Sequence, residues 1–231
     1  MDVVDVVPGL HLLRLGIANA YLWHDGDGAT LVDTGPPGSG PAVAAAMESV
    51  GLRRQDLRRI VLTHFHDDHA GSAAEIASGV GARVVVGRAD APFVRGDVPG
   101  PPPAFTPAEQ ALHAVVAADL EPAPAARVDE EVEDGHLLDL AGGAVVLGTP
   151  GHTPGSIALH LPRHGVLITG DTVAEHRGQV VLGPFNTDRA GAWASLQRLA
   201  ALDVEVACFG HGEPVTADAG AALRRATDPF A

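Results

Sequence analysis

The chain has 231 residues with 15 basic and 29 acidic side chains, a formal charge of −14, and every basic residue is Arg. The absence of Lys excludes Schiff-base chemistry and a phosphate-loop lysine. The acidic balance argues against nucleic acid and anionic membrane as partners, because both require a positive surface. Cys208 is the single Cys, which rules out an intramolecular disulfide and a Cys-based zinc knuckle, and the 46% hydrophobic content predicts a globular chain.

At the start, MDVVDVVPGL has acidic residues where a secretory signal is basic, and nowhere does an apolar run approach the ~20 residues of a membrane span. The expected location is therefore the cytoplasm. Residues 10–15, 19–24 and 29–33 read as short strands separated by Gly-, Asn- and Asp-containing turns. An Ala-rich helix follows over 39–51, ending at a Gly. Strand 58–63, helix 70–78 and strand 82–87 then alternate, the pattern of a layered α/β fold. Residues 92–127 break the rhythm. VPGPPPAFTP at 98–107 carries too many prolines for helix or central strand, and a helix is expected over 108–120. This block reads as an insertion or lid, or as a plain surface linker plus helix. Strands return at 136–140, 144–148, 156–161 and 165–170, followed by helix 188–202 with Asp188 as N-cap, strand 203–210 and a closing helix at 216–226. Both halves run strands first and alternation second, which suggests two similar α/β halves packed face to face.

Twelve His residues prompt a search for metal donors, and the densest signal is Thr63-His64-Phe65-His66-Asp67-Asp68-His69. Three imidazoles and two carboxylates fall directly after a predicted strand, where α/β folds bind ligands. Imidazole and carboxylate suit zinc and related divalent ions. In an extended segment His64 and His66 point the same way, whereas Asp68 and His69, at the turn into a helix, can serve a second ion. Three further apolar strands end in a Gly-flanked donor: His152, Asp171 and His211. Alone, each is weak; together with the first segment they supply enough donors for two metals that share a carboxylate.

HFHDDH (64–69), GH (151–152), GD (170–171) and GH (210–211), with LVDTG (31–35) ahead, resemble the motifs of the metallo-β-lactamase-fold hydrolase superfamily. The resemblance implies an α/β four-layer αββα sandwich formed by one domain over residues 1–231, with the Pro-rich insertion at about 92–127. It implies one metal on His64, His66 and His152, a second on Asp68, His69 and His211, and Asp171 bridging them. Asp33 then orders the metal-binding loops without being a ligand. The implied cofactors are two Zn²⁺, although iron and manganese suit the same donors. The implied reaction is hydrolysis: hydroxide held between the ions attacks a carbonyl, with Asp68 and Asp171 as catalytic carboxylates. Asp67, at the variable position of the motif, is given no catalytic role.

Departures from known branches narrow the choice. Asp171 stands where zinc β-lactamases have Cys. With 20 residues after His211, the helical C-terminal domain of the glyoxalase II type is not expected here. Quorum-signal lactonases carry a Tyr shortly after the bridging Asp, which is missing here. The expected substrate is a small ester, thioester or lactone. Glu175, His176, Phe185 and Asn186 are candidates to line the mouth, or they are plain loop residues; Phe93 and Phe105 line a lid or pack in the core. Alternatives are a mononuclear-iron, persulfide-dioxygenase-like oxidoreductase using His64, His152 and Asp171, a β-lactam or phosphodiester hydrolase, and a non-catalytic metal scaffold. A small molecule is the expected partner; nothing in the sequence sets the oligomeric state.

Overall fold

In the computed structural model, which describes residues 3–26 and 28–231, the first part of the chain builds a mixed sheet. Its strands are β1 (Val3–Val7), β2 (Leu10–Leu15), β3 (Ala18–Asp25), β4 (Gly28–Val32), β5 (Leu57–Leu62), β6 (Arg83–Gly87) and β7 (Glu130–Val132), paired in that order. Pairs are antiparallel from β1 to β4 and parallel from β4 to β7. The connections explain the change of sense. Connections of two residues separate the early strands, whereas a parallel pair needs a crossover. Helix α1 (Gly40–Ser49) lies in the β4–β5 connection, and α2 (Asp67–Ala70) and α3 (Ala73–Val80) lie in the β5–β6 connection. A short α4 (Ala91–Val94) follows β6.

Residues two apart on these strands share a face. Leu13 and Leu15, Ala20 and Leu22, Ile60 and Leu62, and Val84 and Val86 form one buried cluster with Val43 and Met47 of α1 and Ala73 and Ala77 of α3. Full burial of each large aliphatic side chain stabilises by about 1.5–3 kcal/mol. The intervening residues Leu12, Tyr21, Val32, Val61 and Val85 are also buried. That is why the central strands read as nearly continuous apolar runs.

Helix α5 (Pro107–Val116) precedes β8 (Leu137–Leu138), β9 (Ala144–Gly148), β10 (Ile157–Leu161) and β11 (Val166–Ile168). A hairpin of β12 (Val173–His176) and β13 (Gln179–Leu182) leads to α6 (Arg189–Ala200), β14 (Val206–Cys208) and α7 (Ala219–Arg224). The second sheet has the order β14-β11-β10-β9-β8, and the hairpin forms a small sheet of its own. Leu147, Ala158 and Leu167 of the sheet, with Ala207 and Phe209 two apart at its β14 edge, meet Leu196 and Leu199 of α6 and Leu223 of α7 in a second core. Helix α6 starts where the Asp188 carboxylate accepts a hydrogen bond from Gly191 N at 3.0 Å, as its N-cap position predicts.

The chain divides into two compact units: the described residues up to Pro99 with Leu120–Val132, and Gly100–Asp119 with Glu133–Ala231. No helix among the described residues is long and apolar enough to cross a membrane.

Several elements differ from expectation. The helix expected over 70–78 is two helices, α2 and α3. Ser72 separates them because its N–H donates to Thr34 Oγ1 at 3.2 Å and its hydroxyl to the Pro36 carbonyl at 2.7 Å. The helix expected over 108–120 stops at Val116, and the strand expected over 136–140 shrinks to two residues. Strands β1, β7, β12 and β13 and helix α4 are additions that the sequence pattern does not announce. Glu175 and His176 belong to β12.

Candidate metal centre

The first unit's donors grow from the end of β5. His64 and His66 lie on an extended segment, so their rings fall on one side, with centroids 4.7 Å apart. Phe65 points away and packs on Phe93 with centroids 4.9 Å apart, so Phe93 is a packing residue. Phe65 N–H donates to the buried carboxylate of Asp90 at 3.1 Å. His66 is the N-cap of α2, whose first turn carries Asp67, Asp68 and His69. A donor atom of His64 comes within 4.8 Å of donors on His66 and on His69, and His69 Nε2 is 3.7 Å from Asp68 Oδ2.

Asp33 organises this loop. It is buried and sits at φ 60°, a left-handed conformation in which Asp is several-fold enriched. Its carboxylate accepts from Thr63 N at 2.7 Å, Thr63 Oγ1 at 2.7 Å and His69 Nδ1 at 3.0 Å. The Thr63 hydroxyl gives its one proton to Asp33, so at the 3.0 Å contact with His64 Nδ1 the ring must be the donor. Both His64 and His69 thereby carry their proton on Nδ1 and present the Nε2 lone pair, as a metal ligand requires. Thr34 N–H and hydroxyl both donate to the His69 carbonyl at 2.7 Å, tying the LVDTG loop to the same turn.

The second unit's donors lie at strand ends of its own sheet. His152 follows Gly151, which has φ 133° and whose place a Cβ could not share with the backbone of Ala192. Asp171 lies in a single helical turn after β11, and His211 follows β14. One oxygen of Asp171, Oδ2, is 3.7 Å from His152 Nε2 and 3.1 Å from His211 Nε2. Two ligands on one tetrahedral ion with bonds of about 2.0–2.1 Å are separated by about 3.3 Å, so the spacings in each unit match pairs of donors on a shared ion. Imidazole nitrogen and carboxylate oxygen, in these numbers, fit a divalent transition ion.

Other candidates have different places. Asp67 Oδ1 accepts from Ala123 N at 2.7 Å and so anchors residues 120–127 to α2. Glu175 accepts from Gly178 N and, at 2.8 Å, from Glu213 N, while His176 is exposed in the hairpin. Phe105 and Phe185 pack together, with centroids 5.9 Å apart, and Asn186 is buried. Three residues with structural roles escape the sequence reading: Thr63, Asp90 and Glu109. Glu109 alone carries a local signal, the Thr106-Pro107-Ala108-Glu109 capping box in which Thr106 N–H donates to Glu109 at 2.8 Å and Glu109 N–H to Thr106 Oγ1 at 3.2 Å. The bonds that give these three residues their further roles are long-range. Asp33 lies 30 positions from Thr63, Phe65 lies 25 from Asp90, and Phe185 and Arg189 lie 76 and 80 from Glu109.

Burial pushes the Glu109 carboxyl up, but the Thr106 N–H, the Arg189 guanidinium and the Phe185 N–H outweigh it and hold the group below its usual range. Arg189 also pairs with Asp228, through bonds of 2.7 and 2.6 Å, which lowers the pKa of that carboxylate too.

The sequence profile of the metallo-beta-lactamase superfamily matches residues 13–211, and the chain belongs to that superfamily. It is 33% identical to a probable metallo-hydrolase of Bacillus subtilis (strain 168), over 92% of this chain and 87% of that protein. It is 34% identical to a hydroxyacylglutathione hydrolase of Fuscovulum blasticum over 83% of this chain, and it spans 61% of that protein's length. Among solved structures, a metallo-beta-lactamase family protein of Thermus thermophilus superposes with a TM-score of 0.73 at 30% identity, covering 95% of this chain and 78% of that one. A subclass B3 metallo-beta-lactamase of Bradyrhizobium japonicum shares the fold, with a TM-score of 0.70 at 20% identity over 97% of this chain and 89% of that one. The α/β metallo-β-lactamase fold expected from the motifs is the fold of this protein.

Proposed function

We propose that the chain is a metal-dependent hydrolase of a small ester, thioester or lactone. The observation that carries this reading is Asp171 Oδ2, poised between His152 Nε2 at 3.7 Å and His211 Nε2 at 3.1 Å. One carboxylate oxygen flanked by two imidazole donors suits a bridge between two ions. His64, His66 and His152 would hold one ion and Asp68, His69 and His211 the other. That division is the one the motif resemblance implies, and the superfamily profile spans all of these positions. Zinc is the ion we assign, on the imidazole-rich donor set. When bound, such a pair lowers the pKa of a coordinated water toward neutrality and polarises a carbonyl.

The chain's own residues do the rest. Asp33 holds His64 and His69 in the ligating tautomer, directly and through Thr63. Asp68 has a second carboxylate oxygen with which to orient the attacking water and accept its proton. The relatives named as hydroxyacylglutathione hydrolase support a thioester among the substrate classes. We read residues 1–231 as one domain of this family with an insertion at about 92–127.

The test is metal analysis of the purified chain together with a screen of thioesters, lactones, aryl esters and phosphodiesters. About two zinc ions per chain and turnover of a carbonyl substrate are expected. Asp171→Ala and His66→Ala should each abolish that turnover while the circular dichroism stays that of the wild type. Unchanged turnover in both variants would defeat the proposal, and one iron per chain with oxygen uptake on a persulfide would replace it.

A further inference from the structure

The loop from Gly183 to Asp188 is tied at both ends to residues that carry or adjoin candidate ligands. Gly183 N–H donates to the Thr172 carbonyl at 3.3 Å, next to Asp171. Thr187 N–H donates to the His152 carbonyl at 3.1 Å, and Asp188 N–H to that of Gly151 at 2.8 Å. A Cβ at Gly183 would overlap the carbonyl oxygen of Asp171, so the loop runs directly against that ligand's backbone. Between the two ties stands Phe185.

Phe185 is held in an unfavourable backbone conformation, φ 65°, which a bulky residue rarely adopts. Its N–H is gripped by the fully buried Glu109 at 3.0 Å, and Ala104 N–H donates to the Asn186 carbonyl at 2.8 Å. The ring meets His113 of α5 at 5.1 Å and Phe105 at 5.9 Å, and His113 and Phe105 are 4.9 Å apart. All three rings are half-buried, so they keep an accessible surface. In a chain with 4% aromatic residues, this is a concentrated patch.

The surroundings favour an uncharged ligand. No Arg occurs between residues 96 and 126 or between 178 and 188. Arg189, the next along, is already engaged by Glu109 at 2.8 Å and Asp228 at 2.6 Å. An anionic group therefore finds no guanidinium partner on these segments, while an alkyl group finds three ring surfaces.

We propose that Phe105, His113 and Phe185 form a subsite for the uncharged, medium-length alkyl part of the substrate, beside the His152 and Asp171 donors. The proposal rests on the hydrolase reading and names its substrate class: neutral medium-chain esters or lactones in preference to polyanionic thioesters. Phe105 and Phe185 are then specificity-determining residues, and Glu109 is the positioning residue that holds Phe185 in place.

The test uses the zinc-loaded full chain with the p-nitrophenyl esters of acetate, butanoate and hexanoate, and with S-lactoylglutathione. In the wild type kcat/KM should rise by up to about fourfold per added methylene. Phe185→Ala and Phe105→Ala should each cut the hexanoate-to-acetate ratio by about tenfold, through KM, at unchanged zinc content. Phe185→Leu, which keeps an apolar side chain, should retain most of the ratio. A flat chain-length series, wild-type ratios in both Ala variants, or a preference for S-lactoylglutathione overturns the proposal. Saturation-transfer NMR with hexanamide and acetamide reads the subsite without turnover. Stronger saturation of hexanamide in the wild type, lost in Phe185→Ala, supports it even if no ester is hydrolysed. If the thioesters and lactones of the screen are not turned over either, the hydrolase reading fails and the apolar subsite stands. Equal saturation of the two amides overturns it.

Discussion

Replacing Asp33 by Asn tests whether one buried carboxylate sets the protonation pattern of two proposed metal ligands, His64 and His69. The backbone gives no objection, since Asn also tolerates the φ of 60° found there. The hydrogen bonding does. Oδ1 accepts from Thr63 N, whereas Oδ2 accepts from both Thr63 Oγ1 and His69 Nδ1. If the amide oxygen keeps the first bond, the NH₂ group faces two former donors. The Thr63 hydroxyl must then turn and offer its proton to His64 Nδ1, and His69 Nδ1 must become an acceptor. Both rings carry their proton to Nε2, the nitrogen needed for metal. Two hydrogen bonds to a charged group become neutral ones, a loss of about 1 kcal/mol each and about 1–3 kcal/mol in total. That is a measurable share of the roughly 5–15 kcal/mol typical of a domain. Zinc affinity should fall by about 10–100-fold. Competition titration against a chromophoric chelator measures the affinity, urea denaturation measures the stability, and long-range ¹H–¹⁵N NMR assigns the tautomers. Wild-type affinity with Nδ1-protonated rings in Asp33→Asn would refute the relay.

Gly151→Ala should destabilise the fold by on the order of 3 kcal/mol or more, since a Cβ there collides with the backbone of Ala192 at a φ of 133°; a thermal midpoint equal to that of the wild type would contradict the close approach of that loop to α6. Glu109→Gln should lower stability at neutral pH. Because the folded-state pKa of Glu109 is depressed, its contribution is present above the unfolded value of about 4.3 and is lost as pH falls through the folded value. The difference in urea midpoint between wild type and Glu109→Gln should therefore shrink on acidification below about pH 4, and a difference that widens there would show that the carboxylate is not the stabilising form.

Local spacing made much of the site legible. His64 and His66 share a side because an extended chain has period two, a property of the backbone itself. His152, Asp171 and His211 each follow an apolar run and a Gly, a pattern that any strand end leading into a tight turn displays in sequence. The Asp188 N-cap and the Pro-rich break at 98–107 were readable for the same reason, since caps and prolines act on their immediate neighbours.

Other features depended on partners far along the chain. The roles of Asp67, Asp90 and Glu109 come from bonds to Ala123, Phe65 and Phe185, and no periodicity joins such positions. The β12–β13 hairpin turns at Arg177-Gly178, both with positive φ, and Arg177 gives little warning of that conformation. The break between α2 and α3 arises because Ser72 bonds to Thr34 and Pro36, a tertiary competition that a local helix pattern does not contain. Residue type and spacing determined which side chains could ligate a metal, because those are covalent and local facts. Tertiary structure alone decided which nitrogen of His64 and His69 carries the proton, because that depends on where a carboxylate 30 or more residues away comes to rest.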